Sequence, residues 1–332
     1  MKVSEYSGGV KINFDGSSVL IDPEDRFDGA KSVIISHAHS DHCRMLSFET
    51  EAKAYLTPQS FAIAQARMRR VKPEVCLKSY EETFEFGGGS FKFNPSGHIL
   101  GSSQVSINLE KRIVYTGDFK VRDSLTQKGC SPIPCDVLVM ESVYAHPKYV
   151  FPEVEVLGEE ITKWINKTLE DDFIPILTGN PLGQGQELTK MLSNSFDVKV
   201  HPSIYRLNRV YEEFNVKLGE YEASSQPLQG SVFIAPAWSL RKIERSKCKI
   251  AVCTGWAVDE RIKYFYGVDE AFPMSNHADF NERVEYIEKS KPELVITCHR
   301  YFYEEFALWV RQNLGIKAEP IIMEGQMKLL EF

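Results

Sequence analysis

The sequence predicts an α/β protein built in two parts, and three observations point there. Short apolar runs with strand-like alternation recur through residues 1–145, helical and strand patterns alternate after Pro152, and four metal-competent side chains crowd His37-Ala38-His39-Ser40-Asp41-His42 directly after an apolar run. A chain of 332 residues can hold two domains, or one domain carrying a large insertion, and can bury a substantial core. A hydrophobic content of 43% with 26% charged residues excludes disorder as the main state, and no apolar run approaches the ~20 residues that a membrane helix needs.

Val10 to Phe14 and Ser18 to Ile21 read as two strands joined at Asp15-Gly16, the second ending on Asp22-Pro23. Asp22 can accept a hydrogen bond from a ligating imidazole and fix its tautomer, or it is a turn-forming residue before proline. The run Ser32 to Ser36 then delivers the histidine segment, which holds three of the eight histidines. His37 and His39, two apart, point the same way on an extended chain, while a turn after Ser40 swings Asp41 and His42 toward a neighbouring position. Imidazole and carboxylate donors suit zinc, and the count exceeds one catalytic site of about three protein ligands. Two ions about 3.5–4 Å apart can clamp the attacking and leaving oxygens of a phosphodiester displacement. The helical His-Glu-x-x-His signature of zinc proteases is absent.

Pro58 to Arg70 reads as a helix capped by Thr57, followed by strands at Thr83 to Phe86 and Phe91 to Asn94 around a hairpin turn at Gly87-Gly88-Gly89. His98 lies in a glycine-flanked loop before the strand Gln104 to Leu109, and Asp118 follows Gly117 at the end of the strand Arg112 to Thr116. Either residue alone is a weak signal; with the histidine segment they supply a third imidazole and a carboxylate to bridge two ions. Asp136 to Met140 is a strand ending on Glu141.

Helix Pro152 to Leu169, strand Phe173 to Leu177, a helix through Glu187 to Leu192, and strands Ser231 to Ala235 and Ile250 to Cys253 suggest a small parallel α/β domain. In Gly179-Asn180-Pro181-Leu182-Gly183-Gln184-Gly185, joining strand to helix, the amides around Gly183 and Gly185 either hold a phosphate or make an ordinary connection; the Walker ending is missing. The chain returns through Ser275-Asn276-His277-Ala278-Asp279, a helix Asn281 to Ser290 and a strand Leu294 to Thr297 ending at Cys298-His299-Arg300.

The start, Met1 to Tyr6, lacks the apolar core of a secretory signal, so a cytoplasmic location is expected. Seven cysteines without a Cys-x-x-Cys pair argue against a disulfide framework and a thiolate zinc site. A net charge of -7 is unusual for a nucleic-acid binder, but bound divalent cations would be the largest local charges in a site. Short basic clusters stand at Arg67, Arg69, Arg70 and Lys72, and at Arg241, Lys242, Arg245, Lys247 and Lys249; such clusters are commonly just solvated faces.

Taken in order, Asp22, His37 to His42, His98, Gly117-Asp118, Glu141, the Ser-x-His-Ala-Asp pattern at His277 and the final His299 resemble the metallo-β-lactamase fold with a β-CASP insertion. Within that family the chain is most similar to the ligase-associated DNA exonucleases, also labelled messenger RNA 3′-end processing factor-like proteins. The resemblance implies an αββα sandwich with an inserted β-CASP α/β domain, divided as 1–145, 146–255 and 256–332. It implies two zinc ions, with manganese as the alternative: one on His37, His39 and His98, the other on Asp41, His42 and His299, with Asp118 between them. Asp41, Glu141 and His277 are then the catalytic set, in which Glu141 orients His277 and raises its pKa while His277 protonates the departing sugar oxygen. The implied products carry a 5′-phosphate and a 3′-hydroxyl. The sequence departs from the subgroup at Asn276, where Asp is usual, and at Arg300, where glycine is usual; Arg300, with Gly183 and Gly185, is expected to grip substrate phosphates. DNA is the favoured substrate, since no N-terminal RNA-binding module of the archaeal cleavage-factor kind is seen; an RNA-processing nuclease and, more distantly, a small-molecule metallo-hydrolase are the alternatives.

Overall fold

The computed structural model of the chain describes residues 2–25, 30–299 and 301–324. It divides into two compact units, Met1–Val121 with Gly129–His146 and Asn281–Phe332, and Arg122–Lys128 with Pro147–Phe280.

The first unit begins with an antiparallel meander, β1 (Lys2–Tyr6), β2 (Gly9–Phe14) and β3 (Ser17–Ile21), to which β4 (Ser32–Ile34), β5 (Lys53–Leu56) and β6 (Val75–Leu77) add in parallel. Between them lie α1 (Ser40–Cys43) and α2 (Pro58–Arg67). Asp15 (φ 43°) and Gly16 (φ 76°) take the two left-handed positions of the β2–β3 hairpin, the conformation whose twist matches paired strands. A second sheet contains β7 (Thr83–Phe86), β8 (Gly89–Pro95), β9 (Ser103–Asn108), β10 (Arg112–Tyr115) and β11 (Val137–Glu141). It is completed by β18 (Leu294–Cys298) and β19 (Lys317–Pro320), numbered in chain order, which flank α8 (Tyr303–Leu314) and follow α7 (Phe280–Ser290).

Side chains alternate across each strand, so each sheet has two faces to cover. Val10, Ile12, Val19 and Ile21 from the first sheet meet Phe91, Phe93, Val105, Ile107 and Val139 from the second in one buried cluster. The outer face of the first sheet, with Leu20, Val33, Ala54 and Leu56, is closed by Cys43, Leu46 and Ala64 of the α1–α2 region. On the second sheet α8 packs on β18 and β19 and buries Phe306, Ala307 and Val310. The unit is therefore an αββα sandwich. Its α2 starts as expected, with Thr57 accepting from the Ser60 amide at 3.1 Å, but ends at Arg67 instead of Arg70. Met68 turns extended (φ -99°, ψ 146°) and packs with Phe61 and Val71 against the apolar cluster, which outweighs continuing the helix.

The second unit is a six-stranded parallel sheet of β12 (Ile174–Thr178), β13 (Val198–Val200), β14 (Glu222–Ala223), β15 (Val232–Ala235), β16 (Cys248–Cys253) and β17 (Glu270–Phe272), in the order β14-β13-β15-β12-β16-β17. Its helices are α3 (Val154–Glu170), α4 (Gln184–Leu192), α5 (Pro202–Glu213) and α6 (Ile262–Tyr266). Val232 and Ile234 of β15 join one core while Phe233 and Ala235 join the other, the pattern of a sheet buried on both faces. Among the described residues no helix is long and apolar enough to cross a membrane.

Candidate metal centre

Strand ends of the first unit converge on one place. Asp22 follows β3, His37 follows β4 after two residues, Asp118 follows β10, and His299 follows β18. His98 comes from the β8–β9 loop, and His39, Asp41 and His42 open α1. Two glycines permit this. Gly97 (φ 75°) passes so close to Lys120 that an added Cβ would lie 2.4 Å from its carbonyl oxygen, and Gly117 (φ 54°) would meet the Ser103 carbonyl at 2.9 Å. His299 itself is left-handed (φ 66°), a strained setting that the surrounding contacts hold.

His37, His39, His98 and Asp118 present four donor atoms within 4.8 Å of one another, and His42, Asp118 and His299 form a second such group. His39 Nδ1 stands 3.0 Å from both His37 Nε2 and His98 Nε2. A single oxygen, Asp118 Oδ2, lies 3.4 Å from His37 Nε2, 3.6 Å from His98 Nε2 and 3.5 Å from His42 Nε2. Donors on a tetrahedral ion with bonds of about 2.0–2.1 Å stand roughly 3.3 Å apart, so the first set has the spacing of a zinc shell. The second set shares Asp118 Oδ2, and Asp41 Oδ2 approaches its His42 Nε2 to 3.8 Å. Burial opposes a charged His42, yet the carboxylates of Asp118 and Asp22 outweigh it and push that ring up to about 10. Burial holds the rings of His37 and His299 below their usual range, and the His42 charge acts in the same direction. The pocket of carboxylates thus calls for positive charge, and a proton on His42 supplies it where a cation does not.

Asp22 governs the ring tautomers. Its Oδ1 accepts from the Ser36 amide at 2.6 Å, and its Oδ2 from Ser36 Oγ (2.5 Å), His42 Nδ1 (2.9 Å) and the Tyr115 hydroxyl (3.0 Å). Burial works against ionising Asp22, but His42 holds its carboxyl below the usual carboxylate range, so it accepts only. The hydroxyl protons of Ser36 and Tyr115 therefore point at Asp22. Their oxygens are left to accept from His37 Nδ1 (3.0 Å) and His299 Nε2 (2.9 Å). Protons are placed on His37 Nδ1, His42 Nδ1 and His299 Nε2; the opposite nitrogens of His37 and His299 keep their lone pairs for an ion, and His42 Nε2 offers its own once its second proton is displaced. Burial, with the Asp22 charge, drives the Tyr115 phenol well above its ordinary value and keeps that proton in place. Ser36 and Tyr115 escape a sequence reading, since neither is a ligand type and their roles exist only across strands.

Glu141, expected to orient His277, is fully buried. Its Oε1 accepts from Arg283 Nη2 at 2.5 Å and its Oε2 from the Val143 amide at 2.7 Å, while the Arg283 guanidinium lies 5.4 Å from the Phe119 ring centre. His277 belongs to the second unit, in the segment between β17 and α7, where its amide donates to Ser275 Oγ at 3.0 Å. In that unit Asp279 accepts from Arg122 (2.7 Å) and the Phe151 amide (3.1 Å), and buried Glu187 accepts from the Leu125 and Thr126 amides, both at 2.9 Å. Gly183 and Gly185, expected to contact a phosphate, lie in the turn that opens α4. The Gly183 amide donates to Gln186 Oε1 at 2.7 Å and the Gly185 amide to the Asn180 carbonyl at 3.0 Å, so the turn satisfies itself. Arg300 lies outside the described residues.

No family model matches the chain. It is 32% identical over 308 residues to a protein of Opitutus terrae named probable DNA ligase, covering 90% of this chain and 29% of that one. It is 25% identical over 362 residues to the RNase J-like protein of Methanocaldococcus jannaschii, covering 86% and 85%. The chain thus spans less than a third of the first relative and most of the second. A crystal structure of a protein of unknown function from Enterococcus faecalis V583 superposes with a TM-score of 0.67 at 13% identity over 98% of both chains, a likeness of fold. With the sandwich, the inserted parallel sheet and the ordered His and Asp set in hand, these relatives assign the chain to the metallo-β-lactamase/β-CASP family of nucleases.

Proposed function

We propose that the chain hydrolyses phosphodiester bonds of DNA, shortening a strand from an end, on two divalent cations. The observation that carries this reading is the shared oxygen, Asp118 Oδ2, facing two sets of imidazoles. One site comprises His37, His39, His98 and Asp118, the other Asp41, His42, His299 and the same Asp118. Zinc suits these donors, and a pair of such ions, when bound, would supply Lewis acidity and a water whose pKa is lowered to about 7. The protein's share is to hold donors in place through Asp22, Ser36 and Tyr115, and to exclude bulk water around them. His277, by its match to the family motif, gives a proton to the departing 3′-oxygen, leaving a 5′-phosphate. Likeness to part of a protein named for DNA ligation supports DNA. Near full-length likeness to an RNase J-like protein favours RNA as the second reading.

The test is metal analysis of the purified protein with digestion of matched end-labelled DNA and RNA, Asp118→Ala serving as control. About two ions per chain and stepwise shortening of DNA are expected. Internal cuts confined to RNA would promote the second reading, and bound metal with no cleavage of either polymer would sink both.

A further inference from the structure

The basic residues that follow α2 line a cavity of about 470 Å³, large enough for a small organic ligand. Its floor is apolar: Phe61, Met68, Val71 and Val75 rest on the buried cluster beneath the first sheet. Its mouth is polar, formed by exposed Gln65, Arg69 and Arg70. Arginines past a helix end are commonly solvated and gain a little from the helix dipole. These two stand, with Arg44, Arg206 and Arg241, apart from the arginines that the protein itself pairs. Arg112, Arg122, Arg209, Arg261 and Arg283 each pair with a carboxylate, whereas Arg69 and Arg70 have no hydrogen-bonded or ion-paired partner among the described residues. Glu49, whose carboxylate feels the Arg70 charge, is bonded to Lys72 at 2.7 Å. Arg67, the last residue of α2 and the chain neighbour of cavity-lining Met68, donates to the carbonyl of Ala38, the residue between two of the proposed ligands, so the end of α2 that leads into the cavity is fastened beside the metal centre within one unit.

An apolar floor of aromatic and thioether groups beside two uncommitted guanidinium forks matches a flat base joined to a phosphate. Guanidinium binds phosphate with paired hydrogen bonds, and bases stack on aromatic faces regardless of sequence. We propose that this cavity binds one nucleotide unit of a nucleic-acid strand, its base over Phe61 and Met68 and its phosphate between Arg69 and Arg70. The site rests on the nuclease reading for its strand, and it anchors that strand away from the bond being cut.

Titrate the full-length, metal-loaded protein with dTMP, with thymidine and with a 12-residue oligothymidylate joined by phosphorothioates, for the wild type, Arg69→Ala/Arg70→Ala and the milder Gln65→Glu. Expected are dTMP binding well above thymidine binding, at least a tenfold loss of dTMP affinity in the double variant and a smaller loss in Gln65→Glu. For the oligomer, the slope of log affinity against log salt should fall by about 0.7, the share of the one phosphate held between the two arginines on a single strand. Unchanged dTMP and oligomer binding in the double variant overturns the site, even if the wild type cleaves DNA. Arginine-dependent binding to phosphatidylserine vesicles without any dTMP binding overturns it too. A wild type that binds dTMP through these arginines but cleaves no strand keeps the nucleotide site and removes the nuclease reading alone.

Discussion

Two buried clusters of charge in the first unit solve one problem in opposite ways. Glu141 and Arg283, both fully buried, neutralise each other in a pair made entirely by the protein. At the histidine centre buried Asp22 and Asp118, with the exposed Asp41 beside them, face the rings of His37 and His299, which burial holds neutral, and His42, which takes up a proton. Isolated charge is expensive inside a protein, so a cluster left short of cations is arranged to receive them from outside. The charges of the first cluster are balanced within the protein; those of the second leave room for a ligand to complete them.

Breaking the second cluster should have the largest functional effect. Asp118→Ala removes the one atom common to both donor sets, and loss of roughly 4 kcal/mol of charge stabilisation corresponds to about a thousandfold in kcat/KM. In metal-free protein Asp118→Ala also takes away the larger of the two carboxylate charges that hold the His42 proton, while Asp22 stays as its hydrogen-bonded partner, so urea denaturation should register a partial loss of stability, smaller than the loss in kcat/KM. A large stability loss with activity retained would reverse the assignment of the two clusters.

Breaking the first cluster should do the converse. Arg283→Met leaves the Glu141 carboxylate buried without its partner, a change that costs about 3–5 kcal/mol, while Glu141→Leu/Arg283→Met should recover most of the loss. Denaturation of the three proteins in urea checks this. Recovery that fails to exceed 1 kcal/mol would show that the pair is not what holds α7 against β11.

The same contrast explains what could be read from the sequence. Four donors sit within His37–His42, and strand ends announce His98, Asp118 and His299 by their flanking glycines or apolar runs, so the centre was legible from local pattern. Arg283 was not, because Asn281-Glu282-Arg283-Val284-Glu285 reads as an ordinary exposed helix, and only α7 lying against the end of β11 makes the guanidinium a partner for Glu141. Ser36 and Tyr115 were invisible for a related reason: each hydroxyl matters through Asp22, which is 14 residues from Ser36 and 93 from Tyr115. At the glycine turn the composition left a phosphate loop and an ordinary connection equally open, and the Leu182 and Gly183 amides donate to the side chains of Asn180 and Gln186, partners that composition does not reveal. In the fold, long alternating strands were legible, whereas β13, β14 and β17, two or three residues each, hold place only by pairing in the parallel sheet.

A finer test lies in the two hydroxyls that carry Asp22's influence to His37 and His299. Tyr115→Phe and Ser36→Ala each remove one hydrogen bond to a ring without touching a donor, and such losses weaken metal affinity about 10- to 100-fold. Zinc competition titrations should show this, with Tyr115→Phe weakening only one of two bound ions because it serves His299 alone. Equal loss at both ions would mean that the Asp22 network acts as a unit.

The smallest expected effect is decided by its sign. In metal-free protein His42 titrates near 10, above its ordinary 6.5, so its contribution to stability is complete below about pH 6.5 and is lost as pH rises through 10. An ion at the same place needs His42 Nε2 without its proton, so rising pH favours the loaded form as it weakens the stripped one. The melting temperatures of zinc-loaded and chelator-treated protein should therefore separate between pH 6.5 and pH 9, by on the order of 2 °C for each kcal/mol in a chain of this size. A gap that narrows with pH would mean that the proton and the cation do not compete for one position at His42.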